Sequence, residues 1–237
     1  MTKLRLDQLL VQKGLVSSRS QAESWIGLRK VTVDGRVAEK SGQFVREDAD
    51  VRLDAQEKYV SRAGLKLASV ANLLGIDFKE KTVLDVGSST GGFTDYALQH
   101  GAAKVVAVDV GTDQLHPSLR SDDRIESHEK TDIRDFVTDQ QIDIVVIDVS
   151  FISLREILPS VAKIAPRALV VAMVKPQFEA GRNQVNKGVI KNDAVRRQIL
   201  RDFEMWAKSS FVILEKRDSE VPGSKGNRER FYLLKIS

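Results

Sequence analysis

Hydrophobic positions change their period along this chain, and the changes mark out its elements. In "RLDQLLVQKG", Leu6, Leu9 and Leu10 recur at helical spacing and the pattern stops at Gly14. "SSRSQAESWIGLRK" opens on Ser17 and Ser18, residues suited to capping, and puts Ala22, Trp25 and Ile26 on one helical face. "VTVDGRV" alternates through Asp34-Gly35, which predicts a hairpin. Two short helices followed by a small sheet are therefore expected over residues 1–53, a small α+β domain. The polar stretch 54–60 has no period and reads as a linker. Next, "SRAGLKLASVANLLG" predicts a helix with Leu65, Ala68, Leu73 and Leu74 inward and Lys66 on its opening turns.

From Lys81 the period alternates between strand and helix. "TVLDVG", "KVVAVDVG", "RIESHEK", "IDIVVIDVS" and "LVVAMVK" read as strands, separated by helical stretches such as "FTDYALQ", "LREILPSVAKI" and "DAVRRQILRDFEMWAK". Apolar strands spaced by helices predict a mostly parallel sheet covered on both faces, an α/β domain over 61–237. The last two strands, "FVILEKRDS" and "RFYLLKI", have no helix between them and are expected to pair antiparallel. A seven-stranded sheet with such a terminal pair resembles the Rossmann-like class I methyltransferases.

Charge changes the picture once it is located. Residues 1–40 hold eight Lys/Arg against four acids, while the remaining chain carries 29 of each sign. The whole net charge of +4 thus sits within residues 1–40, inside the small first domain, as expected of a module that binds a polyanion. The absence of cysteine excludes disulfides, thiolate metal sites and a cysteine nucleophile. No metal site is expected. "MTKLRLDQLL" lacks the apolar stretch of a signal peptide and no run is long enough to span a bilayer, so the expected location is cytoplasmic and no membrane partner is expected.

Candidate chemistry gathers at the strand ends. "VLDVGSSTGGFTD" sets Asp85 at the end of a strand, followed by Gly87, Ser88, Ser89, Gly91, Gly92 and Phe93, a turn in which backbone can approach a ligand. A glycine-rich turn is also compatible with NAD, but its G-x-x-x-G-G spacing differs from the dinucleotide G-x-G-x-x-G. A compact turn beginning on an acid suits a zwitterionic amino acid and a sulfonium better than a pyrophosphate. Asp109, with Val110 behind it, ends the next strand where a ribose diol would need an acceptor. Asp132 and Ile133 follow the third strand, where an adenine would lie. Read singly, Asp109 is also compatible with a surface acid and Asp132 with a capping one.

The fourth strand ends in Asp148 followed by Val-Ser-Phe, without the Asn/Asp-Pro-Pro-aromatic run used to hold an exocyclic amine. That disfavours methylation of a base amine. A ribose hydroxyl needs its proton removed, and a lysine can do this once burial or a like charge lowers its pKa. From a reference near 10.4 the required drop is about three units, or some 4 kcal/mol. Lys175 closes the apolar strand "LVVAMVK" at the edge that lines the ligand crevice in open α/β sheets, a position that, read singly, is also compatible with the start of a surface loop.

Two resemblances extend this reading. Residues 4–53 resemble the S-four RNA-binding module, with Arg29 standing where that module has a glycine, so the end of the second helix is expected to differ. The resemblance implies RNA contacts from Arg5, Arg19, Arg29, Lys30 and Arg36, joined by Arg62. "YVSRAGLKL", "DVGSSTGGFTD", "AVDVGTDQL", "IDVSFISL", "VKPQFEAGR" and "GNRERFYLL" resemble the hemolysin A (TlyA) family of ribosomal RNA ribose methyltransferases, whose catalytic domain is FtsJ-like. That family's Lys-Asp-Lys-Glu tetrad falls on Lys66, Asp148, Lys175 and Glu229. Departures are Glu220 before "GN", Ala63 for a glycine, and Asn186 in the loop after Lys175. The implied activity is 2′-O-methylation of a cytidine in ribosomal RNA or ribosomal subunits, with S-adenosylmethionine as cofactor. Two other readings stand beside it: an RNA-binding ribosome-assembly factor with an inactive methyltransferase fold, and a membrane-lytic protein.

Overall fold

The computed structural model describes residues 3–16, 19–27, 29–53, 58–181, 188–223 and 226–237. Ser17, Ser18, most of the polar stretch at 54–60 and Asn186 lie outside them. The chain divides into two compact units, Met1–Lys58 and Tyr59–Ser237.

In the first unit the helical spacing of Leu6, Leu9 and Leu10 becomes α1 (Leu6–Gln12), and Ala22, Trp25 and Ile26 face inward from α2 (Arg19–Gly27). β1 (Lys3–Arg5) pairs antiparallel with β4 (Phe44–Arg46). β2 (Val31–Val33) lies between β3 (Arg36–Val37) and β5 (Val51–Leu53). Asp34 and Gly35 both have positive φ, as a two-residue hairpin turn of matching twist requires. The expected difference at the end of α2 is corrected here. Arg29 itself takes the left-handed conformation, φ 60°, and α2 closes with Lys30 N–H donating to Trp25 O and Arg29 N–H to Ile26 O, both at 2.9 Å. Those two bonds form a Schellman end in which an arginine replaces glycine, at a backbone cost of about 1 kcal/mol.

The second unit contains α3 (Arg62–Ala71), β6 (Thr82–Val86), α4 (Gly92–Gln99), β7 (Lys104–Val108), α5 (Pro117–Arg120) and β8 (Ile125–His128). It continues through β9 (Ile144–Ile147), α6 (Leu154–Ile164), β10 (Leu169–Val174), α7 (Pro176–Glu179), α8 (Asp193–Ala207), β11 (Phe211–Asp218) and β12 (Arg230–Ile236). The sheet runs β11-β12-β10-β9-β6-β7-β8. Among the described residues only β12 opposes its neighbours: it pairs antiparallel with β10 on one side and β11 on the other, while the remaining pairings are parallel. The sheet therefore departs from the dinucleotide-binding order by one reversed strand inserted before the edge. Alternate residues serve opposite faces. Val145, Ile147, Val170 and Ala172 join the core under α6 and α8, whereas Ile144, Val146, Val171 and Met173 join the core under α3 and α4.

One expectation about α3 fails. Leu67, Val70, Ala71 and Leu74 are buried, Leu65 and Ala68 are half-buried, and Leu73 is 58% exposed. The cause is the close approach of α3 to α4. A Cβ on Gly64 would stand 2.9 Å from the Gly92 carbonyl oxygen, and one on Gly92 would stand 2.8 Å from Gly64 N. Backbone contact at this pair fixes the rotation of α3 and turns Lys66 inward.

Candidate active site

The carboxyl ends of β6, β7, β9 and β10 open onto three adjoining cavities. The first, about 140 Å³, is lined by Asp85, Gly87, Ser88, Ser89, Thr90, Phe93, Asp148, Lys175 and their neighbours. Asp85 is fully buried; its Oδ2 accepts a hydrogen bond from Thr94 Oγ1 at 2.6 Å, and its Oδ1 has no partner. Burial pushes this carboxyl up to about 7 against the Thr94 hydrogen bond, with the nearby charges of Asp148 and Asp109 adding to the rise. Gly87 has φ 80°, and a Cβ there would stand 3.0 Å from the Asp148 carbonyl oxygen, so only glycine lets the turn close over this cavity. Gly91 precedes α4 in a left-handed conformation, Gly92 begins that helix, and Phe93 packs its buried ring 6.0 Å from Phe231.

The second cavity, about 510 Å³, has Asp109, Val110, Asp132, Ile133 and Asp148 around apolar walls that include Val86, Val149 and Ile157. Asp109 ties the turns after β6 and β7 together: Ser89 N–H donates to Oδ2 at 2.8 Å and Gly111 N–H to Oδ1 at 2.7 Å. Asp132 is held by Arg134, whose Nη2 donates to Oδ2 at 2.6 Å and whose N–H donates to Oδ1 at 2.9 Å. The Arg134 guanidinium keeps that carboxyl below its ordinary range.

Two buried ion pairs stand at the third cavity, about 300 Å³, which shares Ala63, Ser150 and Lys175 with the first. Lys175 Nζ lies 2.5 Å from Asp148 Oδ1 and donates to Ser150 Oγ at 2.8 Å. Lys66 Nζ lies 2.5 Å from Glu229 Oε2. β10 and β12 pair Val174 with Arg230, which brings the residues just beyond them, Lys175 and Glu229, to one edge of the sheet. Phe151 stands at the mouth, 91% exposed with φ 66°, its ring 5.2 Å from that of Phe178. Behind it Asn227, buried, accepts from Ile190 N–H at 3.0 Å and donates to Gly188 O at 2.8 Å. Sequence reasoning singles out neither Ser150 nor Asn227. Ser150 does have a signal, its place two residues beyond a strand-end acid.

The basic candidates separate into different environments. Arg5 and Arg19 both turn onto the fully buried Asp7, with nitrogen–oxygen distances of 2.9 Å each. Their hydrogen bonds, that of Arg5 foremost, hold the Asp7 carboxyl down at about 2. Both arginines are thus engaged with a carboxylate of their own unit. Arg29 pairs with exposed Glu39 at 2.8 Å, and Lys30 and Arg36 are exposed. Arg62 belongs to the second unit, where it lines the third cavity and its Nη2 donates to Pro222 O at 2.5 Å. Among the described residues no group of His, Asp or Glu is placed to hold a metal ion.

An unpartnered buried carboxylate oxygen suits a ligand ammonium, a strand-end carboxylate suits a sugar diol, and the apolar walls of the second cavity suit a purine. The residues present therefore fit S-adenosylmethionine. Fold and site together define a class I methyltransferase. The model of the FtsJ-like methyltransferase family matches residues 59–236 and that of the S4 domain matches residues 4–51. The chain belongs to the TlyA/FtsJ-like ribosomal RNA methyltransferase family, with an S4-type RNA-binding domain. It is 42% identical over 179 residues to the 23S rRNA (cytidine-2′-O)-methyltransferase TlyA of Campylobacter jejuni, covering 74% of this chain and 70% of that one. It is 38% identical to the 16S/23S rRNA (cytidine-2′-O)-methyltransferase TlyA of Mycobacterium tuberculosis, over 98% of this chain and 90% of that one. A solved structure of a candidate hemolysin from Streptococcus thermophilus superposes with a TM-score of 0.77 at 37% identity, over 100% of this chain and 90% of the other.

Proposed function

We propose that this protein methylates the 2′-hydroxyl of a cytidine in ribosomal RNA, acting in the cytoplasm on ribosomal particles. The observation that carries the reading is the pair of buried lysine–carboxylate contacts around a cavity that adjoins the cofactor side. The cytidine comes from the names of the relatives, both of which act on that nucleotide's 2′-oxygen.

When bound, S-adenosylmethionine supplies an electrophilic methyl on a sulfonium. Asp85 and the backbone at Gly87 would hold its amino-acid end, Asp109 its ribose, and Ile133 with Asp132 its adenine. The remaining chemistry belongs to the chain. A sugar hydroxyl is a weak nucleophile until a base takes its proton. Nζ of Lys175 has one direction committed to Asp148 and another to Ser150, which leaves a third for the hydroxyl. Lys175 must begin the turnover as an amine and end it as an ammonium, and the Asp148 carboxylate at 2.5 Å stabilises that product charge. Lys66, fixed by Glu229, faces the same cavity and would orient the ribose by donating to its oxygens. The apolar mouth formed by Phe151 and Phe178 offers the base a surface for stacking.

The test is mass spectrometry of nucleosides from ribosomal subunits incubated with the protein and S-adenosylmethionine. The expected product is 2′-O-methylcytidine. Methyl on a base would refute the ribose assignment. RNA binding without any transfer would favour the assembly-factor reading.

A further inference from the structure

Glu179 is a buried carboxylate that the chemistry above does not use. Its side chain is 1% exposed although it lines none of the three cavities described. It closes α7, the single turn that begins at Lys175, in which Phe178 N–H donates to Lys175 O at 2.9 Å and Ala180 N–H to Pro176 O at 3.0 Å. Its two oxygens reach the start of α6. Ser153 Oγ donates to Oε2 at 2.6 Å and Leu154 N–H donates to Oε1 at 2.7 Å, with Arg155 Nε 3.7 Å from Oε2.

That contact joins the two loops that matter. The segment from β9 to α6 carries Asp148, Ser150 and Phe151, and it is pinned at its start by Asp148 N–H donating to Val86 O at 3.0 Å. Its far end is pinned by Glu179. Between the pins Phe151 sits at φ 66°, a conformation that a non-glycine residue keeps only where its surroundings over-determine it. Across the gap Phe178, one residue before Glu179, packs on Phe151, and Lys175, one turn earlier, donates to Ser150.

We infer that Glu179 is a positioning residue: it clamps the loop after β10 to the loop after β9, so that Lys175, Ser150 and Phe151 meet the target nucleotide as one preset unit. The inference rests on the methyltransferase reading above. Burial raises the Glu179 carboxyl above its ordinary range, but the clamp needs an acceptor for Leu154 N–H and a partner for the Ser153 hydroxyl, not a charge.

The experiment compares Glu179→Ala and Glu179→Gln in the full chain, by calorimetric affinity for S-adenosylmethionine, thermal melting, and single-turnover methylation of ribosomal subunits at saturating cofactor. Cofactor affinity should fall far less than the rate, by no more than about tenfold for Glu179→Ala, because Glu179 lines neither cofactor cavity and acts on them only through the loop it clamps. A misplacement of about 1 Å can cost on the order of 10²-fold in rate, and a loss of that size is expected for Glu179→Ala. Glu179→Gln should recover to within about fivefold of wild type, since its amide oxygen still accepts from Leu154 N–H and its nitrogen can donate to Ser153 Oγ. If Glu179→Ala does not fold, Ser153→Ala removes one leg of the clamp, and its rate loss should shrink when combined with Glu179→Gln, the mark of coupled partners. A Glu179→Ala protein that melts lower but keeps its rate would make Glu179 only a helix cap and overturn the inference. So would equal rate losses in Glu179→Ala and Glu179→Gln, or strictly additive losses in the double variant. Wild-type protein that transfers no methyl would instead defeat the proposed function, which the same assay reports separately.

Discussion

Replacing Asp85 by asparagine should make the free protein more stable and its cofactor binding weaker, in a pH window set by one carboxyl. In the folded chain Asp85 keeps its proton up to about 7, against 3.8 for a free aspartate, because it is wholly buried with one oxygen unpartnered. Between those values the folded state binds more protons than the unfolded one, so its stability falls as pH rises. The contribution is fully present below 3.8 and fully lost above about 7. Three pH units correspond to about 4 kcal/mol, an upper figure since the unfolded chain is not featureless. The Asp85→Asn side chain does not titrate, and its amide can keep the contact with Thr94. Urea unfolding at pH 4.5 and at pH 8 should therefore show the variant gaining on wild type by a few kcal/mol at the higher pH. Binding should move the other way. Asp148 and Asp109 surround Asp85 with like charge, Lys175 faces it across the same cavity, and a ligand ammonium would favour the ionised carboxylate. Wild-type affinity for S-adenosylmethionine should thus rise about tenfold per pH unit below 7 and level off above it, with protons released on binding. The variant should bind on the order of 10- to 100-fold more weakly at pH 8, the cost of a lost charged acceptor. A stability difference that does not change with pH, or equal affinities, would refute the reasoning.

Other perturbations test separate parts of the assembly. Asp109→Ala should weaken cofactor binding by roughly 1–3 kcal/mol in calorimetry, since it removes a charged acceptor and frees Ser89 and Gly111 together; unchanged affinity would take Asp109 out of the site. Lys175→Ala and Lys175→Arg should both lose about 10²-fold or more in single-turnover rate, because a guanidinium cannot give up its proton. An arginine variant with near-normal rate would reassign Lys175 to binding. Residues 59–237 alone should bind the cofactor normally but methylate ribosomal RNA poorly and with a shallower salt dependence than the whole chain; equal activity would give the first unit another duty. Asp7→Ala should destabilise the first unit by roughly 1–3 kcal/mol, seen in urea unfolding, because it removes the buried acceptor of charge-assisted hydrogen bonds from Arg5 and Arg19.

Much of this arrangement is legible in the sequence because it is local. A strand announces itself by its apolar run, and the residue after that run must fall at the sheet edge, so Asp85, Asp109, Asp148 and Lys175 share an edge once the sheet is parallel. What is not legible depends on contacts between distant residues. The inward face of α3 is chosen by Gly64 meeting Gly92, 28 positions away in sequence, and not by the leucines that decorate it. Arg5 and Arg19 look like two more cations of a basic module until Asp7, hidden in a helix of leucines, draws both. Lys66 and Glu229 have no sequence pattern linking them; their pairing is expected from family resemblance alone. Glu179 reads as an ordinary acid in a loop, and only the fold shows the amide and hydroxyl that it accepts from.

The reversed direction of β12 explains how a neutral row of charges is assembled. A strand that ran parallel to β10 would deliver the residue before it to the opposite edge of the sheet, far from Lys175. Because β12 runs the other way, its first residue, Arg230, lies opposite Val174, and Glu229 arrives beside Lys175 at the edge where the parallel strands end. The resulting set is Asp148, Lys175, Glu229 and Lys66, two acids and two bases of which Lys66, Lys175 and Glu229 are almost wholly buried. Four such charges are tolerable out of water only as paired opposites, since an unpaired one costs several kcal/mol. The same balance gives the site its chemistry. In the proposed reaction the hydroxyl proton goes to Lys175, and Asp148 is the carboxylate placed to pair with the ammonium so formed. Asp148 thus offsets the cost of placing that charge out of water.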